Sequence, residues 1–478
     1  MNYKPTIGLE IHVAMNTKSK VFSTGAVSLS RAPNSLDNVY DLAFPGVLPV
    51  LNKQVVINAI QVCYALNMTI DKELHFDRKN YFYSDLPKGY QITQHVRPIG
   101  INGFLNISLK NVIEKVEIER LQIEEDTAKQ IHFKNFTLVD YNRSGVPLIE
   151  IVTKPCIHSV EVAVKFIETI HEIITFLEIS NGKMEEGQLR CDVNISLSGE
   201  DKKLGNKVEI KNINSFSYIK DALEFEIKRQ ESLLSNGSSI DQETRRYDEK
   251  NKVTKIMRKK NNEIDYKYFS ECNIPPIILT DNFINDAIKS SKELASVKRY
   301  RYINSYNLTE YDANLLLSKK EISDFFESCV KLTNYYKDLA NWININVLSY
   351  INKNKISFNE LKLAPNALVS LINDIKNNNI SRNLGYELFS YMIENGSSLL
   401  EAKTALHIFK QETNEEIIKK LVLETLNGNM KVVNDYLKGK QNAVYFLVGK
   451  TIQKNDKINP KITLKIMLEE IKKIKKNN

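Results

Sequence analysis

The sequence predicts an α+β protein with a turn-rich, sheet-bearing front and a helical back. Ten of the twelve prolines lie before Ile277, and twelve of the seventeen glycines lie at or before Gly237. Both residues punctuate turns and break helices, so the back is free to run as long helices. Several front segments alternate apolar and polar residues with period two, the signature of a strand with one buried face. Back segments such as 313–332 instead carry Leu316, Ile322, Phe325, Phe326, Cys329 and Val330 on a broad helical stripe, the pattern of a helix packed on a core.

The first strand is 7–13 (IGLEIHV), in which Leu9, Ile11 and Val13 alternate with Gly8, Glu10 and His12. Residues i and i+2 of a strand share a face, so Glu10 and His12 project together. That pair suits a metal or phosphate site, and it equally suits a solvated sheet face. Residues 76–94 (FDRKNYFYSDLPKGYQITQ) are too polar for a core and are read as a site-building segment. Residues 123–126 (IEED) place three carboxylates together after a strand-like stretch, and 147–152 (PLIEIV) sets Glu150 in an apolar strand. An unpaired charge there would cost several kcal/mol, so Glu150 needs a cation or a donor. Segment 189–197 (LRCDVNISL) shows Arg190, Asp192, Asn194 and Ser196 on one face and apolar residues on the other. Residues 208–211 repeat this with Glu209 and Lys211. A helix is expected over 217–230, and a loop or exposed hairpin over 235–251. The breaks at 394–398 and 427–429 then divide the helical back. The resulting domains are 1–291, 292–405 and 410–478.

At 478 residues, 42% hydrophobic and 26% charged, the chain has the composition of a globular protein of about three domains. No apolar run is long enough to span a bilayer and no signal segment opens the chain, so residence in the cytoplasm is expected, with no membrane partner. The five cysteines form no CxxC pair, which argues against a thiolate zinc site or a disulfide framework. From Lys438 onward eleven lysines face three acidic residues (Asp456, Glu469, Glu470), an excess equal to the whole chain's net charge of +8. Such a terminal module is the electrostatic footprint of a nucleic-acid contact, or else a solvated helix with a lysine tail.

Clustered carboxylates with one imidazole suit Mg²⁺ or Mn²⁺, which favour oxygen ligands and bridge nucleotide phosphates. Four strands, each apolar on one side and charged on the other, imply a sheet whose polar face lines a charged cleft. There is no GxxxxGK[ST] loop, so an ATP site would not be of the P-loop type, and no GxSxG elbow is present.

Eight ordered blocks resemble one family. They are IGLEIHVAMNTKSKVFS (7–23), DLAFPGVLPVLNK (41–53), FDRKNYFYSDLPKGYQITQ (76–94), IEEDTAK (123–129), VDYNRSGVPLIEIV (139–152), MEEGQLRCDVNISL (184–197), EIKNINSF (209–216) and QETRRYDE (242–249). These are similar to the signature blocks of the GatB family, the B subunits of aspartyl/glutamyl-tRNA(Asn/Gln) amidotransferases. NYYKDLANWI (334–343) and GKQNAVYFLVGK (439–450) extend the likeness more weakly, the latter into a YqeY-like tail. The resemblance implies a glutamine-synthetase-like antiparallel cradle that binds ATP and Mg²⁺, followed by two all-helical domains. It implies ATP-dependent amidation of Glu or Asp misacylated onto tRNA(Gln) or tRNA(Asn), with ammonia from an amidase A subunit and with a small C subunit completing the complex. No amidase signature lies in this chain, so glutamine hydrolysis falls to that partner.

On the same resemblance Glu10, His12, Glu125 and Glu150 would hold metal and phosphates, with Glu124 behind them. Glu10, His12, Lys79 and Arg190 would contact the nucleotide, and Lys79, Arg190 and Asp192 would line the cleft or the ammonia route. Lys79 and Arg190 can neutralise phosphate oxygens, while Asp192 suits orienting a base or ammonium. Some relatives carry a cysteine-rich zinc cluster after the first strand; Phe22-Ser23-Thr24-Gly25 has none, so no zinc is assigned. The competing readings are a tRNA-binding scaffold without chemistry and a stand-alone ligase for a free amino acid.

Overall fold

The computed structural model describes residues 3–28, 31–109, 112–199, 204–259, 265–408, 415–455 and 458–477, the side chains of 475–477 excepted. The expected start of the tail at 410 and the tail lysine Lys457 lie outside the described residues. The chain divides into two compact units, Met1–Ala295 and Ser296–Asn478. The first is mixed α/β and the second is helical.

The strands of the first unit are β1 (Lys4–Ala14), β2 (Thr69–Ile70), β3 (Glu73–Leu74), β4 (Asp77–Asn80), β5 (Tyr90–Thr93), β6 (Gly100–Leu109), β7 (Val112–Glu125), β8 (Lys129–His132) and β9 (Thr137–Asp140). They continue with β10 (Pro147–Thr153), β11 (Leu189–Ser198), β12 (Val208–Lys211), β13 (Glu243–Asp248), β14 (Val253–Lys259), β15 (Phe269–Ser270) and β16 (Ile277–Ile278). Nine form one sheet in the order β14-β13-β12-β11-β1-β10-β7-β6-β2. The first strand of the sequence is thus central, flanked by β10 and β11, both antiparallel to it. One pair departs from the expected antiparallel order: β12 and β13 run parallel. A helix of 20 residues joins them, and a crossover of that length is what parallel neighbours require.

Helices α1 (Lys53–Ala65), α2 (Val160–Phe176) and α3 (Phe216–Ser235) bury their apolar stripes with that sheet in one core. Asn52, Ser159 and Ser215 cap them, each side chain accepting from a backbone N–H in the first turn. Ile7, Leu9, Ile11 and Val13 of β1 join Cys191, Val193 and Ile195 of β11 and Ile149 and Ile151 of β10 in this core. The alternation expected over 7–13 and 189–197 is therefore the alternation observed.

Two elements differ from expectation. Residues 243–248 form a mostly buried strand inside what reads as a polar loop. Arg245 donates to Glu243 (2.6 Å) and to the side chain and carbonyl of Thr254 (2.8 Å each), and its charge partner Glu226 on α3 is fully buried. Charges that pair inside the fold look from sequence like charges in solvent. The stripe at 313–332 is two helices, Glu310–Leu316 and Lys320–Val330, separated where the Ser318 hydroxyl donates to the Leu315 carbonyl. Both helices still bury the expected stripe residues, except that Val330 is only half-buried. The glycine break at 394–398 is a helix end with Gly396 at φ +68°, followed by a capping box on Ser398. The terminal helices Glu415–Gly428, Met430–Leu437, Ala443–Lys454 and Pro460–Asn477 build a small core of their own around Ile418, Val422, Leu447 and Met467. Among the described residues no helix is long and apolar enough to cross a membrane.

The long connection between β1 and α1 is held by a buried ion pair. Lys20 donates to Asp41 at 2.8 Å, and neither side chain reaches solvent to any useful extent. Asp41 also accepts from Ser23 Oγ (2.8 Å) and from the Asn38 N–H (3.2 Å). A Cβ at Gly25 or Gly145 would press on this pair, and Gly145 also takes a left-handed conformation at φ +81° that favours glycine. We predict that Lys20→Met costs about 3–5 kcal/mol in chemical unfolding, because it strands a buried carboxylate. The double substitution Lys20→Met/Asp41→Leu is expected to recover much of that loss; equal losses would mean that the charge is not what holds the connection.

Candidate functional site

The register of the large sheet decides which side chains meet. Glu10 lies opposite Asp192 and Val152, and His12 opposite Arg190 and Glu150. Glu150 in turn lies opposite Gln122, and Leu148 opposite Glu124. All these residues share one pleat, on the side away from the apolar core. The result is a cluster in which ligand atoms of Glu10, His12 and Glu150 lie within 4.8 Å of one another. Glu124 sits behind it, with Oε1 3.2 Å from His12 Nε2. Gln122 bridges the group by donating to Glu150 Oε2 and to Thr93 Oγ1 (3.1 Å), and Thr93 donates on to Glu124 Oε2 (3.2 Å).

Two carboxylates and an imidazole gathered in a half-buried pocket form a donor set for a hard divalent cation, with Glu124 fixing the imidazole from behind. In the absence of an ion the cluster holds protons that a cation would have to displace. Burial alone would lower the His12 pKa, but the hydrogen bond and charge of Glu124, with the charge of Glu150, raise it to about 9. Burial, reinforced by the neighbouring Glu124 charge, pushes the Glu150 carboxyl well above the usual carboxylate range. Glu124 moves the other way: burial opposes its ionisation, yet its contacts with His12 and the charge of Lys79 keep it ionised. Glu124 and Glu150, close together, are thus held apart in protonation by their surroundings.

Two family models cover most of the chain. Residues 5–285 match the GatB/GatE catalytic domain, and residues 324–471 match the GatB domain. Curated relatives align almost end to end. The B subunit of the aspartyl/glutamyl-tRNA(Asn/Gln) amidotransferase of Mycoplasma mycoides subsp. mycoides is 45% identical over 476 residues, 99% of each chain. The proteins of the same name from Mesoplasma florum and Geobacillus thermodenitrificans are 41% and 42% identical, over at least 98% of both chains. The chain belongs to the GatB family.

The GatB family's enzymes are multi-subunit ligases, and membership makes this chain one subunit of an aminoacyl-tRNA amidotransferase. Against that background the fate of each expected site residue can be stated. Glu10, His12 and Glu150 meet. Glu125 does not join them. It is one residue beyond Glu124, so the pleat turns it to the opposite face, where Lys88 Nζ (2.6 Å) and the Ile92 N–H (2.8 Å) hold its carboxylate. The expected order of the two is reversed, with Glu124 at the imidazole and Glu125 in a separate ion pair.

Lys79 reaches the cluster from the small sheet β15-β4-β5. It lies opposite Gln91, on the same pleat as Asp77 and Thr93, and Thr93 is the residue that touches Glu124. Burial disfavours its charge, but Glu124, Tyr268, Tyr266 and Glu150 together outweigh burial and keep its pKa above the ordinary lysine value. Tyr266 and Tyr81 wall this lysine, its Nζ lying 4.8 and 5.9 Å from their ring centres.

Arg190 donates through Nη2 to Asp126 Oδ1 at 3.1 Å. Asp192 is bound at 2.6 Å by Lys211, which also lies 3.1 Å from Glu209. Sequence reading singles out neither Lys211 nor Asp126 as functional. Lys211 is visible on the polar side of an alternating strand, but its pairing with Asp192 on the neighbouring strand is not.

The pleat argument gives a direct test with Mn²⁺ binding to the full chain, followed by electron paramagnetic resonance or calorimetry. Glu124→Gln is expected to weaken binding roughly 10- to 100-fold by releasing His12. Glu125→Gln is expected to leave the affinity unchanged while lowering the melting temperature, because it breaks the pair with Lys88. Equal loss of affinity in the two variants would return Glu125 to the cluster.

Proposed function

We propose that this subunit activates the side-chain carboxylate of Glu on tRNA(Gln), of Asp on tRNA(Asn), or of both, and amidates it. The observation that carries this reading is the convergence of Glu10, His12 and Glu150 from two strands far apart in sequence, backed by Glu124. A carboxylate is a poor electrophile. ATP would supply the phosphoryl group that turns one of its oxygens into a leaving group, and Mg²⁺ would offset the crowded negative charge. Ammonia attack on the activated carbon then forms the amide and releases phosphate.

The chain's own residues divide that work. Glu10, His12 and Glu150 hold the divalent cation, and Glu124 fixes the imidazole that would coordinate it. Lys79 and Arg190 place positive charge at the edge of this acidic group, where phosphate oxygens must be accommodated. Asp192, restrained by Lys211, supplies a fixed carboxylate across from Glu10, suited to orienting an ammonium or a base. We read the nine-stranded front sheet as the glutamine-synthetase-like cradle for this chemistry. The ammonia would come from an amidase A subunit, and a small C subunit would complete the heterotrimer in the cytoplasm.

The tail is proposed to contact the tRNA. Helix Ala443–Lys454 buries Val444, Leu447, Val448 and Thr451 and leaves Tyr445, Phe446, Gly449 and Lys450 on its outer side. Tyr445 and Phe446 are 64% and 51% exposed, and Lys450 lies 5.9 Å from the centre of the Phe446 ring. Among the described residues, none outside this turn of helix comes within 4 Å of where a Cβ at Gly449 would stand. A helix-interior glycine costs about 0.5–1 kcal/mol against alanine, a cost consistent with a partner that approaches the backbone closely. Aromatic faces beside a lysine are the elements of a sequence-tolerant nucleic-acid surface.

Both parts of the reading are testable in the complex reconstituted with its partner subunits. With Glu-tRNA(Gln), glutamine and radiolabelled ATP, Glu10→Ala and Glu150→Ala are expected to abolish tRNA-dependent ATP cleavage and amide formation together. Full amidation by either variant would exclude the catalytic assignment. Removing residues 410–478 is expected to weaken tRNA binding and flatten its salt dependence, by a log–log slope of roughly 0.7 to 0.9 for each phosphate no longer neutralised. An unchanged slope would exclude the tail from the interface.

A further inference from the structure

Asp126 follows the last residue of β7 and is almost wholly buried. Its backbone is fixed on both sides: its N–H donates to the Val146 carbonyl (2.8 Å), and its carbonyl accepts from the Gly145 N–H (2.9 Å). Its carboxylate serves two arginines. Arg143 donates through Nε to Oδ2 (2.6 Å) and through Nη2 to Oδ1 (3.1 Å), the two-point geometry that fixes both groups in a plane. Arg190 donates to the same Oδ1 (3.1 Å), and the Thr127 N–H also donates there (2.9 Å). Arg143 belongs to the turn before β10, capped by Asp140 and anchored by Asn142, which accepts from the N–H groups of Ser35 and Leu36 (2.8 Å each). The Arg143–Asp126 pair is therefore a rigid mount.

Arg190 is the member of this trio that the mount does not satisfy. Its Nε is shielded from solvent and has no acceptor among the described residues. A guanidinium offers five N–H donors in a fixed fork, and Asp126 engages one of its terminal nitrogens. A buried donor left without a partner is costly, and it is retained where a ligand supplies the acceptor. Arg190 faces His12 directly across β1 and β11, so the unpaired donor belongs to the immediate surroundings of the cation cluster.

We propose that Asp126 and Arg143 are positioning residues that hold Arg190 with its Nε edge presented to an oxyanion beside the Glu10–His12–Glu150 cluster. The inference rests on the phosphoryl-transfer reading above and deepens it. The oxyanion is a phosphate oxygen of the nucleotide or of the phosphorylated carboxylate. Arg190 is the group that touches it; Asp126 and Arg143 act only through Arg190. Lysine cannot replace such an arginine, because a point charge lacks the fork.

The test is a double-mutant cycle in the complete complex, reading kcat and KM for ATP in tRNA-dependent ATP cleavage, with melting temperatures alongside. Arg190→Lys and Asp126→Asn are each expected to lower kcat roughly 10- to 100-fold, the penalty of a misplaced group. Asp126→Asn is expected to add nothing in an Arg190→Gln background, because its effect passes through the arginine. Should Asp126→Asn prove too unstable to assay, Arg143→Gln takes its place in the same cycle. A loss from Asp126→Asn that is as large in the Arg190→Gln background as in the wild type would overturn the inference, as would full activity of Asp126→Asn where Arg190→Gln is impaired. Wild-type activity of both Arg190→Gln and Glu150→Ala would instead overturn the phosphoryl-transfer reading itself.

Discussion

A β-strand sends alternate side chains to opposite faces, and in this protein that alternation separates a hydrocarbon core from a charged site over a distance of one residue. Ile11 and His12, Ile149 and Glu150, and Ile123 and Glu124 are neighbours in sequence and lie on opposite sides of one sheet. The apolar residues on one side, locked under three capped helices, set the register. The register then leaves the polar residues no freedom in whom they meet. A slip of one residue in β1 would bury Glu10 and His12 in the core and expose Ile11 and Val13, so the energy that holds the core together also holds the site together.

Much of this is legible in the sequence alone, because period-two patterning encodes both faces at once. The strand IGLEIHV names its core and its site residues in the same seven positions, and LRCDVNISL does the same for Arg190 and Asp192. What does not read out is pairing. The IEED segment offers three adjacent acids, and nothing local says which of Glu124 and Glu125 faces the imidazole; the answer lies in the register with Leu148 and Pro147, far along the chain. The strand at 243–248 is hidden for a related reason. Its arginines imply solvent until Glu226 and Glu243 are known to sit beside Arg245.

The second unit shows the same division between what is local and what is not. Helical stripes and the break at Gly396 are properties of a few consecutive residues, and they read directly from the sequence. The surface use of those helices does not. In helix Ala443–Lys454 the inward residues explain the fold, whereas among the described residues Tyr445 and Phe446 stay exposed and Gly449 meets nothing beyond its own helix. Exposed aromatics next to an unpacked glycine cost stability and return nothing to this subunit alone, which is the physical argument for a partner on that side.

Around the cluster, Arg190 and Lys211 are each fixed by carboxylates, and the one that fixes Arg190 is itself held by a second arginine and by the backbone. Lys211 is held between Asp192 and Glu209, Arg190 by Asp126, and Asp126 by Arg143, while Lys79 is walled by tyrosines and drawn toward Glu124. In water such pairs would exchange freely and orient nothing. On a rigid sheet they make a set of oriented charges whose reorganisation has already taken place during folding, which is the condition under which electrostatics can favour a transition state over a ground state.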